Sequence, residues 1–396
     1  MEAAVQGRRR LAEQTLGTDR HGESLALWDE ELRSADDGVQ WISDAIVRAM
    51  EARDLTIAGD LAALLAAFQY GELPVEQLLS VGKLQHDAEQ FRYLRERGLL
   101  GEEFDRVAAD YLEIAERVAP IGIDERRPME PDEEHRIGHV YNRIVHVHRA
   151  PRVGRALSDA WDPAAMEHQY LHVPPGAIVI DDFLSPEALE GVRRFCLEST
   201  IWNRNRYASS RLGSLFFGGF NCPLLLQIAE EVRDAFPRAI GSRHPLRQLW
   251  GFKNAPSLPG DSTVHADFAA VNVNLWITPE EANTDESSGG LVVYDATAPL
   301  DWDFRTYNES TNLIKGYLRE RGARAVTIPY RANRAIIFNS DLFHATAAVR
   351  FKPGYANRRI NITMLYGERR LDDNHPAPVQ AASAGSAWNS SAFRRR

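Results

Sequence analysis

Between residues 246 and 366 the chain returns repeatedly to short runs of Val, Ile, Leu and aromatic residues, each cut off by Gly, Pro, Asn or Asp. The runs are RQLWGFKNA, AAVNVNLWIT, GGLVVYDA, ARAVTIPY, RAIIFNS and RRINITMLYG. Segments of this length, rich in β-branched and aromatic residues, suit strands. One helix interrupts them, at roughly residues 309–321 around LIKGYLRER. A parallel sheet needs a crossover, usually helical, between successive strands, so many strands with one helix argue for a barrel or jelly roll.

Upstream the periodicity is helical. In KLQHDAEQFRYLRERGLL the residues Leu84, Ala88, Phe91 and Leu94 fall on one helix face, and Gly98 supplies a stop. In EEFDRVAADYLEIAERVAP the face is Phe104, Val107, Tyr111, Ala115 and Val118, ended by Pro120. AIVRAMEARDLTIAGDLAALLAAFQYG reads as a helical hairpin. Successive helix pairs suggest a repeat-like domain of the tetratricopeptide kind, although no consensus recurs at a fixed period. The Pro- and charge-rich stretch that follows marks a boundary. After it, GAIVIDDFLSPEALEGVRRFCLEST predicts a strand, a turn and a helix with Ser185 as N-cap and Pro186 at its first position. A second helix is expected after FNCP, capped by Asn221. The expected class is α+β: a helical domain over 1–125, a linker over 126–172, a β-rich domain over 173–370 and a disordered tail over 371–396.

With 396 residues, 44% of them hydrophobic, the chain is long enough to bury a sizeable core. Its formal net charge of −10 disfavours nucleic acid, because phosphate-backbone binding needs clustered Lys and Arg. The two cysteines, Cys196 and Cys222, are far apart and form no CxxC, which fits reduced thiols and a cytoplasmic setting. No window approaches eighteen consecutive apolar residues, so no membrane span is expected.

Of the twelve histidines, His135 with His139 and His146 with His148 have chelating spacings, but they lie in the polar linker and read as solvated. His86 and His244 have no partner near them in sequence. His265 and Asp267 differ. Two residues apart on extended backbone, they project to the same side at the start of a buried run. His344, which we read as the end of the apolar strand RAIIFNS–DLF, supplies a third donor. Two imidazoles and one carboxylate on one face of a metal leave positions open, the arrangement of non-haem Fe(II) oxygenases. The competing reading makes His265 and Asp267 a local hydrogen-bonded pair and His344 a satisfied core histidine. Beyond His344, Arg359, Asn361 and Thr363 alternate with Ile360, Ile362 and Met364, so a strand expected to be buried carries a cation on one face. A buried Arg left without its partner costs about 3–5 kcal/mol, which calls for an anion. A carboxylate of a co-substrate fits the guanidinium fork, and an internal Asp or Glu is the alternative. Arg358 points the other way, which we read as toward solvent.

HxD at 265–267, the distal His344 and the following Arg359 resemble the signature of Fe(II)- and 2-oxoglutarate-dependent oxygenases. IVIDDFLSPEALEGV is similar to the start of the catalytic domain in bacterial prolyl-hydroxylase-like members, and RINIT to the Arg-x-Asn-x-Thr strand of AlkB-type members. The resemblance covers residues 173–370 and implies a double-stranded β-helix, a cupin-like jelly roll. It further implies that His265, Asp267 and His344 bind Fe(II) and that Arg359 grips 2-oxoglutarate with help from Asn361. Asn274, on one strand face with Asn272 and Trp276, is a further co-substrate candidate. The implied reaction consumes O2, releases succinate and CO2, and hydroxylates an amino acid, a peptide or protein side chain, or a natural product. Asp267 disfavours halogenation, since halogenases of the family have a small residue there. Trp302, Arg305 and Tyr307, in the insertion between the two histidine strands, are candidate substrate contacts. A homodimer or protein partner through the helical domain is consistent with this reading. The other readings are a non-catalytic binding protein with a vestigial jelly roll, and a cupin-type metalloenzyme without 2-oxoglutarate.

Overall fold

A computed structural model describes residues 2–369 except 17, 19, 20, 35, 206, 208, 209, 261 and 262, so the expected tail over 371–396 lies outside the described residues. The chain mixes helices with antiparallel sheet. Eleven α-helices are found among the described residues: α1 Glu2–Thr15, α2 His21–Ser34, α3 Gly38–Glu51, α4 Leu55–Gly71, α5 Val81–Glu96, α6 Glu103–Val118, α7 Pro131–Ile137, α8 Pro163–His172, α9 Pro186–Glu198, α10 Pro223–Ala235 and α11 Thr311–Glu320. The sheet strands are β1 Ala177–Ile180, β2 Leu212–Leu215, β3 Leu246–Lys253, β4 Val271–Trp276, β5 Leu291–Thr297, β6 Ala325–Ile328, β7 Arg334–Asn339, β8 Leu342–Thr346 and β9 Ile360–Tyr366.

Six strands form one sheet in the order β1-β7-β4-β9-β3-β2, and three form another in the order β8-β5-β6. Each described pairing within them is antiparallel. From β3 onward the chain moves between the sheets: β3 and β4 lie in the large sheet, β5 and β6 in the small one, β7 returns, β8 leaves and β9 returns. His265 joins the small sheet through a single antiparallel bridge to His344 in β8.

The sequence of β4 shows why the large sheet sits between two layers. All six of its residues are buried. Val271, Val273 and Leu275 belong to a core shared with Ile337, Ile362 and Met364 of neighbouring strands and with helices α2, α3, α4, α9 and α10. Trp276 points the other way, into a second core with Ile336 and Phe338 of the large sheet and Leu291, Val293, Ile328 and Leu342 of the small one. A period-two strand buried on both faces is therefore covered by helices on one side and by the small sheet on the other. Consecutive helices pack in pairs, α1 on α2, α3 on α4 and α5 on α6.

Three expectations change. His344 does not end the preceding apolar strand: the chain turns at Ser340–Asp341, with Asp341 N–H donating to Asn339 Oδ1 at 3.0 Å, and His344 sits inside a separate strand of the other sheet. Asn221 does not cap α10. Cys222 occupies that position without a side-chain bond, while Asn221 Nδ2 donates to the Phe216 carbonyl. Arg358 is buried, not solvated, because α5 covers that face and Glu89 Oε2 accepts from Arg358 Nε at 2.8 Å.

Ile337, fully buried in the helix-facing core, tests this layering. Ile337→Ala is expected to lower stability by about 2–5 kcal/mol in urea unfolding. Leu313→Ala on the exposed face of α11, where Leu313 is 49% accessible, is expected to change it by less than about 0.5 kcal/mol.

Candidate metal centre

His265, Asp267 and His344 meet at one point, with one donor atom from each lying within 4.8 Å of the others. The backbone brings them there. His265 and His344 exchange two backbone bonds, 3.0 Å and 2.8 Å, across their bridge. Ala266 N–H donates to the Tyr307 carbonyl and Asp267 N–H to the Ser340 carbonyl. Three successive amides are thus held by three different elements, which fixes where the two side chains project.

Each imidazole is oriented by its inner nitrogen. His265 Nδ1 lies 2.9 Å from the Thr263 carbonyl and His344 Nδ1 2.9 Å from the Leu342 carbonyl. A carbonyl only accepts, so Nδ1 carries a proton in both rings and Nε2 is the nitrogen left to take a metal. Those Nε2 atoms lie 3.8 Å and 3.5 Å from the two oxygens of Asp267. Burial, followed by the neighbouring His344, pushes the His265 pKa down to about 4, so this ring is neutral at neutral pH. For Asp267, burial works to raise the pKa, but His344 and His265, acting through their protonated forms, and the Asn272 amide outweigh it and leave the carboxyl below its usual value. A neutral imidazole beside an ionised carboxylate is the donor state a divalent metal requires.

From this point a row of polar side chains runs along the inner face of the large sheet. Asn272 Nδ2 donates to Asp267 Oδ2 at 2.6 Å, and Asn274 Nδ2 to Asn272 Oδ1 at 2.5 Å. Thr363 Oγ1 donates to Asn274 Oδ1 at 3.3 Å, Asn361 Nδ2 to Thr363 Oγ1 at 3.0 Å, and Trp276 Nε1 to Asn361 Oδ1 at 2.9 Å. The register makes this row continuous, since Thr363 lies opposite Asn274 and Asn361 opposite Trp276.

Arg359 ends the row. It is 2% exposed, with Cζ 5.4 Å from the Trp276 ring centroid, and its Nε donates to the Gly289 carbonyl. Gly289 has φ +76°, and a Cβ there would lie 2.8 Å from the Phe351 ring, so only glycine presents its carbonyl this way. Among the described residues no carboxylate pairs with Arg359. Burial lowers its pKa to about 10, which leaves it cationic at neutral pH. A buried guanidinium without an internal anion is a site for an external one.

The other sequence candidates separate cleanly. Tyr307 is buried and takes the Ala266 N–H, whereas Trp302 packs on Tyr317 and Phe343, and Arg305 is exposed. Lys253, like Arg358, faces the helices, bonding the Cys196 carbonyl and Tyr355 Oη. His135 and His139 are exposed, His148 approaches Glu198 at 3.2 Å, and His86 is buried against Asp87. Sequence reading placed Asn272 on the inner face without assigning it to Asp267. It also missed the Gly289 carbonyl, whose only sequence signal is the Gly-Gly pair before β5.

No family model matches the chain, and no curated protein does. Solved structures do overlap it in part. The non-haem α-ketoglutarate-dependent carbocyclase SnoK from nogalamycin biosynthesis shares 12% identity over 58% of this chain and 98% of its own, with a TM-score of 0.37. HygX from Streptomyces hygroscopicus, solved with nickel and 2-oxoglutarate, shares 11% over 50% and 85%, with a TM-score of 0.34. A prolyl-4-hydroxylase from Pseudomonas putida shares 12% over 55% and 100%, with a TM-score of 0.29. These overlaps are loose, and the chemistry of the site rests on its own atoms.

Metal titration checks the centre directly. Cobalt(II) is expected to bind wild-type protein with a visible absorption that His344→Ala abolishes. Asn272→Ala, which frees one Asp267 oxygen, is expected to weaken binding by about 10–100-fold.

Proposed function

We propose that the chain is an Fe(II)- and 2-oxoglutarate-dependent oxygenase whose two sheets form a double-stranded β-helix. One observation carries the reading. The point where two imidazole Nε2 atoms and a carboxylate converge is joined, by a continuous polar row, to a buried arginine that no carboxylate pairs with among the described residues. A metal site alone fits many chemistries, and a buried arginine alone fits many folds. Together they fit a metal plus an anionic co-substrate.

His265 Nε2, an Asp267 oxygen and His344 Nε2 would hold Fe(II), a donor set that suits this metal and leaves positions for other ligands. Arg359 would hold the far carboxylate of 2-oxoglutarate through the N–H groups not used by Gly289. Asn274 and Asn361 are already tied to Asn272, Thr363 and Trp276, so each offers at most its remaining amide N–H. When bound, iron and 2-oxoglutarate supply the oxidising chemistry, which consumes O2 and ends in succinate, CO2 and an oxidised substrate.

The chain's own residues do the positioning. The carbonyls of Thr263 and Leu342 hold both imidazole rings in the metal-binding tautomer. Asn272 fixes one carboxylate oxygen. Trp276, stacked on Tyr330 at 5.4 Å, walls the arginine from solvent and strengthens its pull on an anion. Hydroxylation of an amino acid, a peptide or protein side chain, or a natural product is the default outcome for this reading.

Anaerobic addition of Fe(II) and 2-oxoglutarate is expected to give a weak visible charge-transfer band in wild type and none in Asp267→Ala. A wild type without the band would overturn the oxygenase reading. Arg359→Ala is expected to keep iron affinity while weakening 2-oxoglutarate about 10–100-fold, the loss of a charge-assisted pair of about 1.5–3 kcal/mol.

A further inference from the structure

We infer that Arg211 is a substrate anchor, and that the substrate is a small molecule or peptide bearing a free carboxylate. The inference rests on the oxygenase reading and deepens it.

The large sheet is wider than the small one that covers it. The core between the sheets includes residues of β1, β4 and β7, and no residue of β2, β3 or β9. On that uncovered side, Trp250 and Phe252 of β3 lie opposite Thr363 and Asn361, so they continue the inner face that carries the polar row. Both are only half-buried, as is Leu215 beside them, whereas Leu249, Gly251 and Lys253 on the opposite face are buried. The row from metal to Arg359 thus opens sideways into an accessible aromatic bay. Phe268, directly after Asp267, meets Trp250 at 6.3 Å between ring centroids and ties the bay to the metal centre.

Arg211 stands at this bay. It lies two residues before Gly213, which pairs with Phe252 on the inner face. Its Cζ sits 4.8 Å from the Phe252 ring centroid and 5.1 Å from that of Tyr207. Among the described residues its buried Nε has no hydrogen-bond partner and no carboxylate pairs with it. It also lies close enough to Arg359 for the two charges to oppose each other. Two unpaired guanidinium groups on one lining oppose each other unless anions join them. A single co-substrate gives one distal carboxylate, and the enclosed Arg359 takes it. Arg211, at the accessible end with aromatic rings beneath it, is left for a second anion, and a planar fork matches a carboxylate. The rings supply apolar area for the rest of such a substrate.

The test uses full-length protein loaded anaerobically with Fe(II) and 2-oxoglutarate, and reads displacement of the visible band by added probes. The probes are free L-amino acids and N-acetylated tripeptides, each set against its C-terminal amide. At least one free acid is expected to shift the band, with its amide requiring at least tenfold more. Arg211→Gln is expected to erase that acid preference and Arg211→Lys to retain part of it, with the 2-oxoglutarate titration of both within twofold of wild type, which also reports correct folding. Four results would overturn the assignment: acids and amides acting alike, an acid preference that survives Arg211→Gln, no acid acting at all, or weakened 2-oxoglutarate binding in Arg211→Gln, which would place Arg211 in the co-substrate site. Failure of the band in wild type before any probe is added would strike the oxygenase reading instead.

Discussion

β4 is buried on both sides, and its alternation of Val and Asn sets what each side contains. The odd residues, Val271, Val273 and Leu275, join the helix-facing core. The even residues, Asn272, Asn274 and Trp276, place amide and indole groups where a strand between two layers would normally place more hydrocarbon. Each buried amide without a partner would cost about 1–3 kcal/mol, so the inner face is stable only as a closed chain of hydrogen bonds. That chain begins on Asp267 and reaches Asn361 across two strands. The metal carboxylate is therefore oriented by the same bonds that make the sheet's interior tolerable, and the position of the site follows from the register of β4 against β9.

The opposite end of the row obeys a different constraint. Burying Arg359 removes water from a permanent cation, and the Gly289 carbonyl with the Trp276 face offsets only part of that loss. An internal Asp would have offset more. Its absence among the described residues leaves a preorganised fork whose best partner comes from outside, and binding an anion then recovers energy that folding did not. Helix-facing Lys253 shows the contrast. It is equally buried, yet a carbonyl and a tyrosine hydroxyl fill its surroundings, and Trp202 and Tyr355 stack close by.

Much of this was legible because strand alternation is a local property. HxD on extended backbone, the Val–Asn alternation and Arg-x-Asn-x-Thr each place side chains on a face without knowledge of the fold. What alternation does not encode is which element covers a face. Arg358 read as solvated because nothing in RRINIT reveals that α5, some 270 residues earlier, lies over it with Glu89. His344 read as the end of one strand because FNSDLFH is apolar on both sides of a two-residue turn, and hydrophobicity alone does not mark a change of sheet. Arg211 drew no notice for the same reason: its meaning comes from the Phe252 ring beneath it and from the inter-sheet core not reaching β3 among the described residues, both long-range facts. Asn221 looked like a cap by residue type, but its amide is used by the Phe216 carbonyl in the turn before α10.

Arg358 and Arg359 also show how the helical layer bears on the site it does not touch. The adjacent residues just before β9 point to opposite faces, and both guanidinium groups are buried. Among the described residues only the outward one meets a carboxylate, and that carboxylate comes from α5. Gln90 of the same helix donates to the Leu197 and Ser199 carbonyls, which fixes α5 against the end of α9 and so fixes Glu89 over β9. Without this helix, Arg358 would be an unpaired cation on the opposite face of the sheet from the buried Arg359. With it, the pair is sorted by strand alternation into one arginine neutralised by the fold and one left for a ligand. The helices thus do more than cover hydrocarbon: they neutralise the arginine that faces them, while the one on the inner face is left for a ligand.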